Sequence, residues 1–270
     1  MPVVRRQFVD GPYGQMHLRL AAPDRSTNAP LVCLHMFPQS GRSFSPFLSH
    51  IATDRTAVAL DFPGYGESAP PPAPISASDY AKAMWAAVDA LELTSEHDRI
   101  DLLGVHAGAK LAVEMIRQRP DGVRRPVLFS AAVFTPQELA TLRESFSSMP
   151  LDEAGARFQF LWSLLVKYRG PELELEDLAI TLAEMLRGGE GYEWGHDAVF
   201  EYNRIFPDVL RSLSHHVVLV NPNDDLYTVT PRTADYLAQV DLHDRPSWHH
   251  GFFELHAEEV ATQVRGWLSN

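Results

Sequence analysis

The chain has 270 residues, 45% of them hydrophobic and 21% charged, with a formal net charge of −12. These values describe an ordinary soluble globular protein, long enough for one large core and an inserted subdomain, and exclude fibrous, repeat and disordered chains. The acidic balance, without a Lys/Arg cluster, also excludes a nucleic-acid partner held through its phosphates.

Cys33 is the only cysteine, so no intrachain disulfide can form, which fits a reducing compartment. The stretch around Arg5 and Arg6 lacks a cleavable signal pattern, and no apolar run approaches 18 residues. A cytoplasmic protein with no membrane partner is expected.

Two β-like segments, Val3 to Val9 and Gln15 to Ala21, flank Gly11-Pro12-Tyr13-Gly14 and predict an opening hairpin. Short apolar runs follow at Leu31 to Leu34, Ala57 to Leu60, Ile100 to Leu103, Val127 to Phe129 and Val217 to Val220, the lengths of buried strands. Helical faces intervene: Tyr80, Met84, Val88 and Leu91 share one, and Val260, Val264, Trp267 and Leu268 share another. Strands separated by helices imply a parallel sheet covered on both sides. The alternation breaks between about Thr135 and Leu213, where apolar helical patterns and aromatic residues such as Tyr192, Trp194 and Phe200 occur without a strand. This stretch reads as a helical cap inserted over the site, where open α/β sheets bind ligands.

Four short segments carry candidate chemistry. Leu34-His35-Met36-Phe37-Pro38 follows the first parallel strand, and Asp61-Phe62-Pro63-Gly64-Tyr65-Gly66-Glu67-Ser68 follows the next. Gly104-Val105-His106-Ala107-Gly108 lies where the strand from Arg99 to Leu103 must turn into a helix. Near the C-terminus, Asn223-Asp224-Asp225 ends the strand Val217 to Val220, and His249-His250-Gly251 precedes the last helix.

In order and content these segments resemble the α/β-hydrolase superfamily across nearly the whole chain, with histidine where the nucleophile elbow Gly-x-Ser-x-Gly has serine. The resemblance implies a mostly parallel, twisted, eight-stranded sheet flanked by helices, with a core of residues 1–134 and 214–270 and a cap of residues 135–213. It implies His250 as general base, Asp224 or Asp225 as its orienting acid with Asp224 favoured, and the backbone N–H groups of Phe37 and Ala107 as an oxyanion hole. The Asp61 to Ser68 loop is read as a tight turn without chemistry, and His35 as a buried imidazole bonded to nearby backbone.

Histidine has no hydroxyl to activate, so His106 admits several roles. As a neutral imidazole it could attack a carbonyl directly. Alternatively His250, oriented by Asp224, activates water or abstracts a substrate proton while His106 donates a hydrogen bond, in hydrolysis or in carbon–carbon bond cleavage by a lyase. A third reading is a catalytically silent pseudoenzyme that only binds its ligand. Hydrolysis of a small, mostly apolar ester-like or activated carbonyl substrate is the favoured activity. No organic cofactor is expected, because no dinucleotide glycine pattern follows the first parallel strand. No metal is expected either: His35, His106, His250 and Asp224 come from separate loops, without the short spacings of common metal motifs. Ser130 and Lys110 near the same rim are read as structural.

Overall fold

The computed structural model describes residues 1–95, 97–146 and 149–269. The opening hairpin forms from β1 (Arg5–Gly11) and β2 (Gly14–Ala21). Next come β3 (Leu31–Leu34), α1 (Ser45–Ile51), β4 (Ala57–Leu60), α2 (Ala77–Ala90), β5 (Ile100–Val105), α3 (Ala107–Gln118) and β6 (Val123–Phe129). Five helices follow: α4 (Pro136–Ser145), α5 (Ala156–Lys167), α6 (Leu175–Met185), α7 (Trp194–Tyr202) and α8 (Phe206–Ser212). The chain then returns to the sheet with β7 (Val217–Pro222) and β8 (Val240–Arg245), and closes with α9 (Phe252–Leu255) and α10 (Ala257–Ser269).

All eight strands join one sheet in the order β1-β2-β4-β3-β5-β6-β7-β8. β2 pairs antiparallel with both β1 and β4, whereas β4, β3, β5, β6, β7 and β8 run parallel. Parallel strands need covered crossovers, and the side chains divide accordingly with the period of two that a strand imposes. On β3, Val32 and Leu34 face the core beneath α2 and α3, while Leu31 and Cys33 face the core beneath α1 and α10. On β4, Val58 and Leu60 separate from Ala57 and Ala59 in the same way. Every side chain of β3 and β4 is buried, which is why both runs are continuously apolar in sequence.

The helices start where local chemistry dictates. Ser76 accepts the backbone N–H of Asp79 and caps α2. Thr135 and Glu138 form a reciprocal capping box on α4, with Pro136 at the first helical position.

The Asp61 to Ser68 loop is a polar clamp. Asp61, fully buried, accepts from the N–H groups of Gly41 (2.8 Å) and Glu67 (3.0 Å) and pairs with His17 Nδ1 at 2.7 Å. Gly66 is required there: its φ is +55°, and a Cβ would sit 2.1 Å from the Asp61 carboxylate. No helix among the described residues is long and apolar enough to cross a membrane.

Candidate active site

The turn from β5 into α3 places His106 at φ +52°, ψ −115°, a backbone conformation rarely adopted by a residue with a Cβ and costing about 1–3 kcal/mol. Neighbouring bonds hold it there. The His106 N–H donates to Phe129 O (2.9 Å), and its carbonyl accepts from the N–H of Ala109 (3.0 Å). The flanking glycines let β5 and α3 approach: a Cβ on Gly104 would lie 2.5 Å from Gly108 O, and one on Gly108 would lie 2.2 Å from Leu34 O.

Around this turn the structure gathers two histidines and two carboxylates. His106 Nε2 lies 2.9 Å from Asp224 Oδ2 and 3.9 Å from Asp225 Oδ1. His250 Nε2 lies 2.9 Å from Asp225 Oδ1, and the two imidazole rings are 5.7 Å apart. The expected Asp224–His250 pair is therefore corrected: Asp225 serves His250, and Asp224 serves His106. The cause lies in the loop after β7. Asp224 Oδ1 accepts the N–H of Leu226 (2.8 Å), and its Oδ2 accepts the hydroxyl of Ser130 (2.5 Å), which turns this carboxylate toward β6 and the elbow. The next side chain is left to reach the loop before α9. Ser130 thus orients an acid: its proton is given to a carboxylate rather than to a histidine.

The neighbouring charges favour the cationic form of His106. Burial disfavours its cation, but Asp224 and Asp225, together with the Asp224 hydrogen bond, outweigh burial and raise its pKa to about 9. Asp224 is held below the usual carboxylate range: burial alone would raise it, and the His106 charge and hydrogen bond overcome that. Asp225 is likewise depressed against the burial cost, by the His106 charge and the His250 bond. The raised pKa of His106 favours the imidazolium at neutral pH, a form with no free lone pair on either ring nitrogen. This setting favours the polar-partner reading of His106 over that of a neutral nucleophile.

His35 stands apart from this group. Its Nδ1–H donates to Met36 O (2.8 Å) and its Nε2 accepts the N–H of Phe62 (3.1 Å), while burial lowers its pKa to about 4. It is a backbone-bonded core histidine. The ligand atoms of His106, Asp225 and His250 lie within 4.8 Å of one another. His35 and Asp224 are not part of that trio, and each histidine of the trio already shares its Nε2 with a carboxylate.

Two cavities meet at the site. The larger, about 190 Å³, runs between the loop after β3 and helices α5 and α6, with walls that include Phe37, Leu164, Leu165, Leu178 and Phe252. The smaller, about 60 Å³, is bounded by Ala107, Lys110, Ser130, Phe134 and Phe200. Phe37, His106, Phe146, His196 and Asp225 border both. Among the described residues the backbone N–H groups of Phe37 and Ala107 have no protein acceptor. Sequence reasoning missed the contribution of His196 and Phe146 from the inserted helices, and it set aside Lys110, whose place in α3 one turn after His106 was the available signal.

The fold and this elbow define an α/β enzyme-type architecture, and comparison with known proteins gives the family. A family model described as the alpha/beta hydrolase fold matches residues 29–169, and the chain belongs to that family. Among solved structures it is similar to a thermophilic esterase from Thermogutta terrifontis, at 19% identity over 98% of each chain with a TM-score of 0.75. It is also similar to the haloalkane dehalogenase DatA from Agrobacterium tumefaciens C58 (18% identity, 99% of this chain and 97% of that one, TM-score 0.73). The epoxide hydrolase CorEH matches at 17% identity over 98% of this chain and 99% of its own, with a TM-score of 0.75. No curated protein matches the sequence.

Proposed function

We propose that the protein is a hydrolase of a small ester-like or activated carbonyl substrate with a mostly apolar body, working without a covalent intermediate. The observation that carries this reading is the division of two adjacent acids between two histidines on the wall of an apolar cavity. His250 gives its Nε2–H to Asp225, which leaves Nδ1 as the nitrogen able to accept a proton. Residues 135–213 serve as the cap over the core formed by 1–134 and 214–270, with α5 and α6 supplying apolar wall to the larger cavity. The solved relatives named as hydrolases support the reading, since they carry varied bond cleavages on this fold.

In the proposed reaction, a water oxygen attacks the carbonyl carbon while His250 Nδ1 takes the water proton. The electron pair of the C=O bond moves onto oxygen, stabilised by the N–H groups of Phe37 and Ala107 and by the His106 imidazolium. As the tetrahedral adduct collapses, the bond to the leaving oxygen breaks, and that oxygen takes the proton back from His250. Ester and water give acid and alcohol, and His106 keeps its proton throughout.

The test is turnover of a panel of alkyl and aryl esters and lactones by the native protein and by His250→Ala, Asp225→Asn and His106→Ala, each checked for folding. Loss of about 10² to 10⁴ in rate in the first two variants, with a substantial loss in the third, is the expected result. Ligand binding without consumption would make the pocket a receptor, and turnover untouched in His250→Ala would reject the assignment.

A further inference from the structure

We propose that the smaller cavity is a carboxylate-binding subsite in which Lys110 pairs with an acidic group on the acyl side of the substrate. The choice of acyl side rests on the hydrolase reading above; the binding of a carboxylate does not.

Lys110 is 3% exposed and sits on the wall of this cavity. An ammonium carries three N–H donors, and only one has a partner among the described residues, Asn203 Oδ1 at 2.9 Å. Asn203 offers no negative charge. Its amide is fixed by Phe134, whose N–H donates to Oδ1 (3.2 Å) and whose carbonyl accepts from Nδ2 (3.1 Å). Among the described residues, Lys110 Nζ also meets two aromatic ring faces, at 4.4 Å from the Phe134 centroid and 5.1 Å from that of Phe206.

A buried cation normally carries a carboxylate partner, and among the described residues Lys110 has none. The cost of this arrangement shows in its acidity, since burial lowers its pKa to about 7. Asp225 also borders the cavity, but its charge is engaged by His250 at 2.9 Å and by His106 at 3.9 Å. An entering anion would therefore find one uncommitted positive group, two free donors and an apolar surround that strengthens the pair.

Size and position narrow the ligand. A volume of about 60 Å³ suits a group of a few heavy atoms. Lys110 lies one turn into α3, four residues beyond His106, and both residues border this small cavity. An acyl chain of a few atoms ending in a carboxylate fits a cavity of this size bordered by both His106 and Lys110, so the substrate class is a half-ester of a short dicarboxylic acid. Its apolar alcohol part would occupy the larger cavity.

The experiment compares two non-hydrolysable amides, N-benzylsuccinamic acid and the uncharged N-benzylpentanamide, by calorimetry with the native protein and with Lys110→Met and Lys110→Gln, at pH 6.5. In parallel, kcat/KM is measured for benzyl hydrogen succinate and benzyl pentanoate. The native protein is expected to favour the acid over its neutral counterpart by tenfold or more in binding, and in kcat/KM if it is a hydrolase. Both substitutions are expected to bring that ratio near one, a change in discrimination that a purely structural lysine would not produce. Equal binding of acid and neutral amide by the native protein, binding of neither, or a ratio unchanged in both variants overturns the proposal. Acid-selective binding without ester turnover retains the subsite and rejects only the hydrolase reading.

Discussion

Asp224 Oδ2 lies 2.9 Å from Nε2 of His106, so the residue at the elbow is held by an acid in the way a catalytic histidine is held. The neighbouring acid repeats the arrangement for His250 at the same distance. The first two consequences below follow from this doubling.

The first concerns pH and stability. An unfolded histidine titrates near 6.5, and folded His106 near 9, so its pairing adds stability that is complete below about pH 6.5 and is lost as the pH rises through about 9. Asp224 and Asp225 are depressed, so their share is present above the ordinary carboxylate range and lost as the pH falls through their folded values. Urea denaturation should show His106→Gln more destabilising at pH 6 than at pH 10.

The second separates the two acids. Asp225→Asn removes the group that orients His250 and is expected to lower kcat by about 10² to 10⁴. Asp224→Asn removes the bonded acceptor of both Ser130 and His106, so its expected mark is a fall in the His106 pKa and an alkaline limb of the rate profile moved to lower pH. A pH–rate series on both variants checks the distinction.

The third concerns the turn itself. Alanine is usually worth up to about 1 kcal/mol over glycine inside a helix. At Gly108 that gain is overcome, because the new methyl would meet the carbonyl of Leu34 at 2.2 Å and neither backbone can yield freely. Gly108→Ala is expected to cost about 1–3 kcal/mol net in denaturant unfolding, with loss of activity.

The fourth tests the sheet rather than the site. Fully buried Asp101 accepts from Arg55, also fully buried, at 3.2 Å and from Arg124 at 2.6 Å. Asp101→Ala leaves the Arg55 guanidinium with Asp54 as its carboxylate partner among the described residues and is expected to destabilise by about 3 kcal/mol, read by denaturant unfolding.

Much of this architecture is legible in sequence because burial on both faces writes itself as apolar runs. β3 and β4 fall at Leu31–Leu34 and Ala57–Leu60, as read from the residues alone. β8 is hidden for the opposite reason: it lies at the sheet edge, and Asp241, His243, Asp244 and Arg245 break any apolar pattern. Within the site, local motifs mark His106, His250 and the acidic loop. Which acid meets which histidine depends on the Ser130 and Leu226 bonds to Asp224, long-range and turn contacts that no residue spacing encodes. The raised pKa of His106 is hidden for the same reason, since it needs two carboxylates brought from 118 and 119 positions away.

The central claim is that His106 works as a fixed cation while His250 handles the proton. Nitrogen NMR of the protein with labelled histidine, titrated from pH 5 to 10.5 and assigned with His106→Gln, tests it most directly. Both His106 ring nitrogens are expected to stay protonated through neutral pH, with the proton leaving near 9. A neutral His106 at pH 7, titrating at or below 6.5, would contradict it and return the elbow histidine to the role of nucleophile.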